Sequence, residues 1–353
     1  MNLADRLAPL LGLLPLRFPR PLGGLDDHLR AMRLVRGTGP CDITVVRRPT
    51  VLKSNLLVFQ LRRDPGNLVV KRSRIDRAAA SVIREWDILR QLADDDRLEP
   101  WRALLPQTVG PRPHGPSPTL AQTMLTGVPG DDLMGPSAKA PYRAAAPALC
   151  LLAELREATG RHMPTTEWGG LITEPHLTIL AKEVRPFGPW KGTAALDALR
   201  HRMDAALEGA ELTRGWTHGD YYPGNVLLSE KPIRVTGVFD WGNAQADGPC
   251  EIDAYTFVLS LRSALTGRSM GELVADTLRT GRLPDPDRTL LALAGVDPDR
   301  IADDPAALPL LTWLWHVAGN VGKTPRFGRS RWWTAVTVDP VVRESLRWAT
   351  ARL

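Results

Sequence analysis

Between residues 42 and 125 short apolar runs alternate with turn residues, a pattern that predicts strands. Residues 42–46 (DITVV) and 56–61 (LLVFQL) are two such runs. Asp64-Pro65-Gly66-Asn67 separates the second from Leu68-Val69-Val70-Lys71. Pro sets φ and Gly supplies a left-handed position, so this connection predicts a tight hairpin. Residues 76–92 change period. At about 100° per residue, Val82, Trp86 and Leu89 share one face with Leu92 near its edge, which predicts a helix. Glu85 falls inside that apolar stripe, whereas Asp87 points roughly the opposite way. A carboxylate on a buried face needs a partner. Lys71, at the end of the preceding strand, is the expected one, with Arg84 or water as the alternative. Residues 119–125 predict a further strand, followed by Thr126-Gly127-Val128-Pro129-Gly130. Beyond Asp131 the pattern is mainly helical, with core helices predicted over residues 144–159 and 193–208.

Residues 216–241, WTHGDYYPGNVLLSEKPIRVTGVFDW, carry the candidate chemistry. Asp220 and Asn225 have the D-x-x-x-x-N spacing of a kinase catalytic loop, in which the Asp receives the proton of the attacking hydroxyl and the Asn holds magnesium. Val226-Leu227-Leu228 and residues 233–239 suit two strands joined by a turn at Glu230-Lys231-Pro232. Such a hairpin is expected to bring Asn225 and Asp240 to one end of paired strands, where their oxygens can share a hard cation. A calcineurin-type phosphoesterase would need a G-N-H that the chain lacks.

His218-Gly219-Asp220, Asn225 and Asp240-Trp241 together resemble the signature of the aminoglycoside phosphotransferase and choline kinase-like family of small-molecule kinases. The resemblance implies an α+β, two-lobed protein-kinase-like fold with a small β-rich lobe and a larger, mainly helical one. Residues 1–39 would form an N-terminal extension, 40–127 the nucleotide-binding lobe and 128–353 the lobe with the catalytic loop and acceptor site. The implied reaction moves the γ-phosphoryl of ATP or GTP to a hydroxyl of an antibiotic, sugar, cyclitol or amino alcohol. Asp220 would orient or deprotonate that hydroxyl, and Asn225 and Asp240 would hold Mg2+. Lys71, fixed by Glu85, would position the α- and β-phosphates. The turn Lys53-Ser54-Asn55 stands where protein kinases have a glycine-rich loop, and Ser54 and Asn55 would cradle phosphate there. Backbone groups of Thr126 and Val128 would meet the adenine. Asp253 would brace the catalytic loop through its backbone, and His218 would shape that loop. Two other readings stay open: a non-catalytic nucleotide-binding or scaffold protein on the same fold, and a kinase acting on a protein. Residues 242–249 are too short for a peptide-binding activation loop, and no A-P-E follows.

Composition adds bounds. The 353 residues, 43% hydrophobic and 24% charged, suffice for two lobes with cores. A net charge of +6 favours acidic ligands such as nucleotide phosphates over polycations. No basic block points to nucleic acid. Cys41, Cys150 and Cys250 are scattered, as expected of structural thiols in a reducing cytoplasm. The N-terminal leucine run is broken by Pro9 and Pro15, unlike a signal peptide, and no stretch reaches membrane-spanning length. His162, His176 and His201 are isolated and show no metal-ligand spacing. Five of eleven tryptophans lie in the last hundred residues and are expected mostly in the core. The basic stretch 323–331 (KTPRFGRSR) is taken as a solvated loop; facing the site, it would suit an anionic or sugar-like acceptor.

Overall fold

The computed structural model describes residues 42–47, 56–62, 66–73, 76–115, 117–184 and 193–352. The expected N-terminal extension 1–39, the phosphate turn with Ser54 and Asn55, and Asp64 and Pro65 of the hairpin lie outside the described residues. The chain divides into two compact units: one runs up to Gly127 and takes in Thr236–Gly242, and the other comprises Val128–Val235 and Asn243–Leu353.

In the first unit, β1 (Asp42–Arg47), β2 (Leu56–Arg62) and β3 (Leu68–Ser73) precede the helix α1 (Asp76–Asp94). Two further strands, β4 (Thr108–Val109) and β5 (Thr119–Thr123), complete an antiparallel sheet of order β1-β2-β3-β5-β4. Gly66, between β2 and β3, has φ +87°, the left-handed conformation that the turn sequence predicts. Side chains alternate across the sheet. Leu57, Phe59 and Leu61 of β2 therefore share a face with Leu68 and Val70 of β3 and Ala121 of β5, forming one buried cluster. Each fully buried residue of this size contributes roughly 1.5–3 kcal/mol. Lys71 follows Val70 and so falls on the opposite face, where Glu85 of α1 meets it. The strand expected over residues 119–125 stops at Thr123. Beyond it, the Met124 N–H donates to the Asn67 carbonyl at 2.9 Å, a last rung in the β3–β5 register before that partner strand begins at Leu68.

The second unit opens with β6 (Val128–Pro129), antiparallel to a later strand. Its helices α2 (Pro141–Thr159), α3 (Thr165–Glu183) and α4 (Thr193–Leu207) come next, with β7 (Arg161–Pro164) between the first two. α2 starts three residues before the predicted position because Pro141 suits the first turn, where no N–H is needed. β8 (Glu211–Thr217) leads into the loop of Asp220, then β9 (Val226–Glu230) and β11 (Gln245–Pro249) follow, while β10 (Ile233–Val238) begins in this unit and ends in Thr236–Gly242 of the first. β6 pairs with β9, and β8 is the centre of an antiparallel β11-β8-β7 sheet. The remainder is helical: α5 (Glu251–Thr266), α6 (Met270–Thr280), α7 (Asp285–Leu293), α8 (Ala307–Lys323), α9 (Arg331–Thr337) and α10 (Asp339–Thr350). α5 is buried along its first nine residues, and α8 is buried from Ala307 to Trp315, so these two form the interior of the unit. Trp313, Trp315 and Trp333 are buried as expected, whereas Trp332 is 52% exposed. No helix among the described residues is long and apolar enough to cross a membrane.

Candidate active site

In the first unit the expected phosphate-binding lysine is buried, 4% exposed, as is Glu85. Lys71 Nζ donates to Glu85 Oε1 at 2.6 Å and also to Asp240 Oδ1. Burial works to discharge this ammonium, but the two carboxylates outweigh it and hold its pKa above the ordinary lysine value. Asp240 reaches this position at the end of β10 with φ +65°, a left-handed backbone unusual for a residue with a side chain. Its neighbours over-determine the conformation. The Trp241 indole is fully buried and donates to the Val238 carbonyl at 2.9 Å. A Cβ added at Gly237 would come within 2.6 Å of Leu125, so β10 packs closely there. The Thr236 hydroxyl donates to the Thr126 carbonyl at 2.6 Å, which occupies one lone pair of a group expected to face the adenine. Asp87, the outward acid of α1, is instead bound to Arg112 at 2.6 Å.

In the second unit the His218–Asn225 loop is held by its backbone. Asp253, on the buried first turn of α5, accepts from the His218 N–H at 2.5 Å and the Gly219 N–H at 2.9 Å. Gly219 has φ +72°, and a Cβ there would sit 2.6 Å from the Asn243 carbonyl oxygen, so no other residue fits. His218 is fully buried, and its Nδ1 accepts from the Asp220 N–H at 3.3 Å. Tyr221, also buried, donates to the Ala148 carbonyl at 2.9 Å and ties the loop to α2. Asn225 Nδ2 donates to the Asp220 carbonyl at 2.9 Å. With its amide nitrogen so engaged, Asn225 has its carbonyl oxygen to offer a hard cation. Val128 pairs with Leu228 in this unit.

The loop brace carries a pH signature. Burial pushes the Asp253 carboxyl up to about 7, against the pull of the two backbone donors. A carboxyl whose folded pKa exceeds its unfolded value of 3.8 contributes stability that is complete below that value and lost by about 7. Half-buried His176 and His316, both lowered to about 4 by desolvation, act in the opposite direction over the same range. Their contribution cancels in a comparison of variants. The melting-temperature advantage of wild type over Asp253→Asn is expected to shrink as pH rises from 3.8 to about 7 and then level off. An advantage that grows across that window would refute the assignment.

Lys323 corrects the expectation of a solvated basic loop. Residues 307–323 continue as α8, and the helix delivers Lys323 Nζ to Asp220 Oδ2 at 2.7 Å. Trp315, His316, Asn320 and Lys323 line a recess together with Gly219 and Asp220. Trp315 is fixed by its indole bond to the Ile172 carbonyl at 2.9 Å and by stacking on His176 with centroids 4.5 Å apart. The signal was present in the sequence as polar residues at i, i+4 and i+7 on an apolar helix, His316, Asn320 and Lys323, but nothing local says what that stripe faces.

A model of the phosphotransferase enzyme family, APH, matches residues 47–291. The chain belongs to this family. No curated protein matches it in sequence. Among solved structures, this phosphotransferase-family chain is similar to a putative aminoglycoside phosphotransferase from Ralstonia eutropha, with 16% identity, TM-score 0.53, and 92% of this chain and 98% of that one covered. It is also similar to an aminoglycoside phosphotransferase from Streptomyces rimosus, at 19% identity and TM-score 0.51, covering 82% and 98% respectively. A thermostable aminoglycoside phosphotransferase mutant, in ternary complex with ADP and hygromycin B, matches at 17% identity and TM-score 0.50, covering 88% and 97%. At these identities the likeness establishes the fold, which is the α+β kinase-like one. The family membership makes the chain a small-molecule phosphotransferase.

Proposed function

We propose that the chain transfers the γ-phosphoryl group of ATP or GTP to a hydroxyl of a small acceptor. The observation that carries the reading is the loop in which Asp253 pins the backbone N–H groups before Asp220 while Asn225 pins the carbonyl of Asp220 itself. A carboxylate held this way can orient an acceptor hydroxyl and take its proton as the oxygen attacks the γ-phosphorus and the nucleoside diphosphate leaves. Lys71 would bind α- and β-phosphate oxygens, and its two carboxylate partners keep it charged and aimed. Asn225 and Asp240 are oxygen donors of the type magnesium prefers, and Asp240 keeps its side chain 31% exposed. Among the described residues no three His, Cys, Asp or Glu side chains form a metal cluster, but a magnesium carried on phosphates needs only one or two protein carboxylate or carbonyl oxygens. When bound, the ion would neutralise charge on the β- and γ-phosphates. The Thr126 carbonyl retains a second lone pair for the adenine, with Val128 as its companion. Ser54 and Asn55 are proposed for the phosphate turn.

The complex of one similar protein with ADP and hygromycin B supports a nucleotide co-substrate and a hydroxyl-bearing small acceptor. Cys150 and Cys250 are free thiols, in keeping with a reducing, cytoplasmic setting. The test is ATP and GTP consumption with magnesium across a panel of sugars, cyclitols, amino alcohols and antibiotics. Consumption stimulated by an acceptor, with that acceptor phosphorylated, is the expected result. Folded protein that binds neither nucleotide in the presence of magnesium would overturn the reading.

A further inference from the structure

The small recess beside Asp220, about 10 Å³, has an unusual charge balance for a place where an ammonium group would approach the carboxylate. Of its described lining residues, Asp220 is the only carboxylate, and Lys323 Nζ lies 2.7 Å from its Oδ2. Gly219, Asn243, Thr256, Trp315 and Asn320 are uncharged. His316 is neutral near pH 7, because burial lowers its imidazole to about 4. Asp253, beneath the loop, is committed to the His218 and Gly219 N–H groups. The immediate surroundings of Asp220 therefore sum to no net charge, where an ammonium group seated beside it would call for a surplus carboxylate.

The geometry also divides the two oxygens of Asp220. Oδ2 accepts from Lys323, whereas among the described residues no donor reaches Oδ1. Oδ1 is thus the oxygen with capacity to receive an acceptor hydroxyl. Lys323 sits in the last turn of α8, where the carbonyl end of the helix favours a cation. Its side chain is 43% exposed, so it can also face a molecule that approaches Asp220.

Resting on the kinase reading, we propose that Lys323 determines acceptor charge: it balances the catalytic carboxylate, rejects polycations, and directs neutral or anionic hydroxyl compounds to Asp220 Oδ1. An ammonium brought near Lys323 meets a like charge beside a half-exposed ion pair, a cost that a hydroxyl or carboxylate does not incur. The test uses the full chain with magnesium and ADP, and kanamycin as the polycation probe, by titration calorimetry. Wild type, Lys323→Arg, Lys323→Met and Lys323→Glu are compared, with Arg282→Glu as an equal charge change at an exposed position outside the recess. Affinity for kanamycin is expected to rise from wild type and Lys323→Arg, through Lys323→Met, to Lys323→Glu, the last at least about 10-fold tighter than wild type. Arg282→Glu is expected to stay within about 3-fold of wild type. Equal affinities across the Lys323 series, or the same gain from Arg282→Glu, would overturn the proposal. ADP binding in the same titrations reports on the kinase reading separately: its loss in folded wild type would fail that reading, whereas intact ADP binding with a flat Lys323 series would fail this one.

Discussion

Replacing Asp220 by Asn is expected to lower kcat by roughly 10²- to 10⁴-fold, the usual contribution of a positioned general base. Asn keeps the size of the side chain and can still accept from Lys323, but it cannot take a proton. The backbone cradle made by Asp253, His218 and Asn225 does not involve the Asp220 carboxylate, so the loop should hold its shape. The lost ion pair is half-exposed, with side chains 43% and 30% accessible. Its loss should change stability by no more than about 1 kcal/mol. Single-turnover phosphorylation, ADP affinity and thermal melting, measured together, separate these effects. A kcat within about tenfold of wild type, in a variant that still binds nucleotide, would remove Asp220 from the general-base role.

The second large effect belongs to Lys71. Lys71→Met takes the cation from between Glu85 and Asp240 and removes the ammonium that the buried Glu85 carboxylate, 4% exposed, is bonded to. Breaking a buried pair in this way costs about 3–5 kcal/mol, far more than the pair contributes relative to an apolar replacement. Nucleotide affinity should fall with it, because the phosphate-binding charge is gone. The double variant Lys71→Met with Glu85→Gln separates the two roles. Removing both charges should recover most of the stability seen in denaturant unfolding while nucleotide affinity stays low. Recovery of both would make Lys71 a structural residue only. If the single variant is as stable as wild type, the pair is not the buried interaction described.

The residues that act locally were legible in the sequence. The apolar stripe of α1 placed Glu85 on the buried face through helical period alone, and β3 placed Lys71 one position after the core residue Val70. The D-x-x-x-x-N spacing marked Asp220 and Asn225 because a single tight loop must carry both, and the structure ties Asn225 Nδ2 to the Asp220 carbonyl within that loop. The turn glycine Gly66 was readable because left-handed backbone has few other occupants. Element ends were less legible. β5 ends at Thr123 although the apolar sequence continues, because its partner strand β3 begins only at Leu68 and Asn67 offers the last rung, to the Met124 N–H.

What the sequence determined by itself, then, was period, turn chemistry and motif spacing, since each depends on bonds or contacts within a few residues. Pairings over long separations were decided by the tertiary structure. Lys71 and Asp240 are 169 positions apart, and only the packing of Thr236–Gly242 into the first unit brings them together. Lys323 and Asp220 are 103 positions apart, and on sequence alone a lysine at a helix end is indistinguishable from a solvated charge. The physical reason is that a long ionic side chain gains little from any local pattern. Its role depends on which opposite charge the fold brings within hydrogen-bonding distance and on how much water is excluded there.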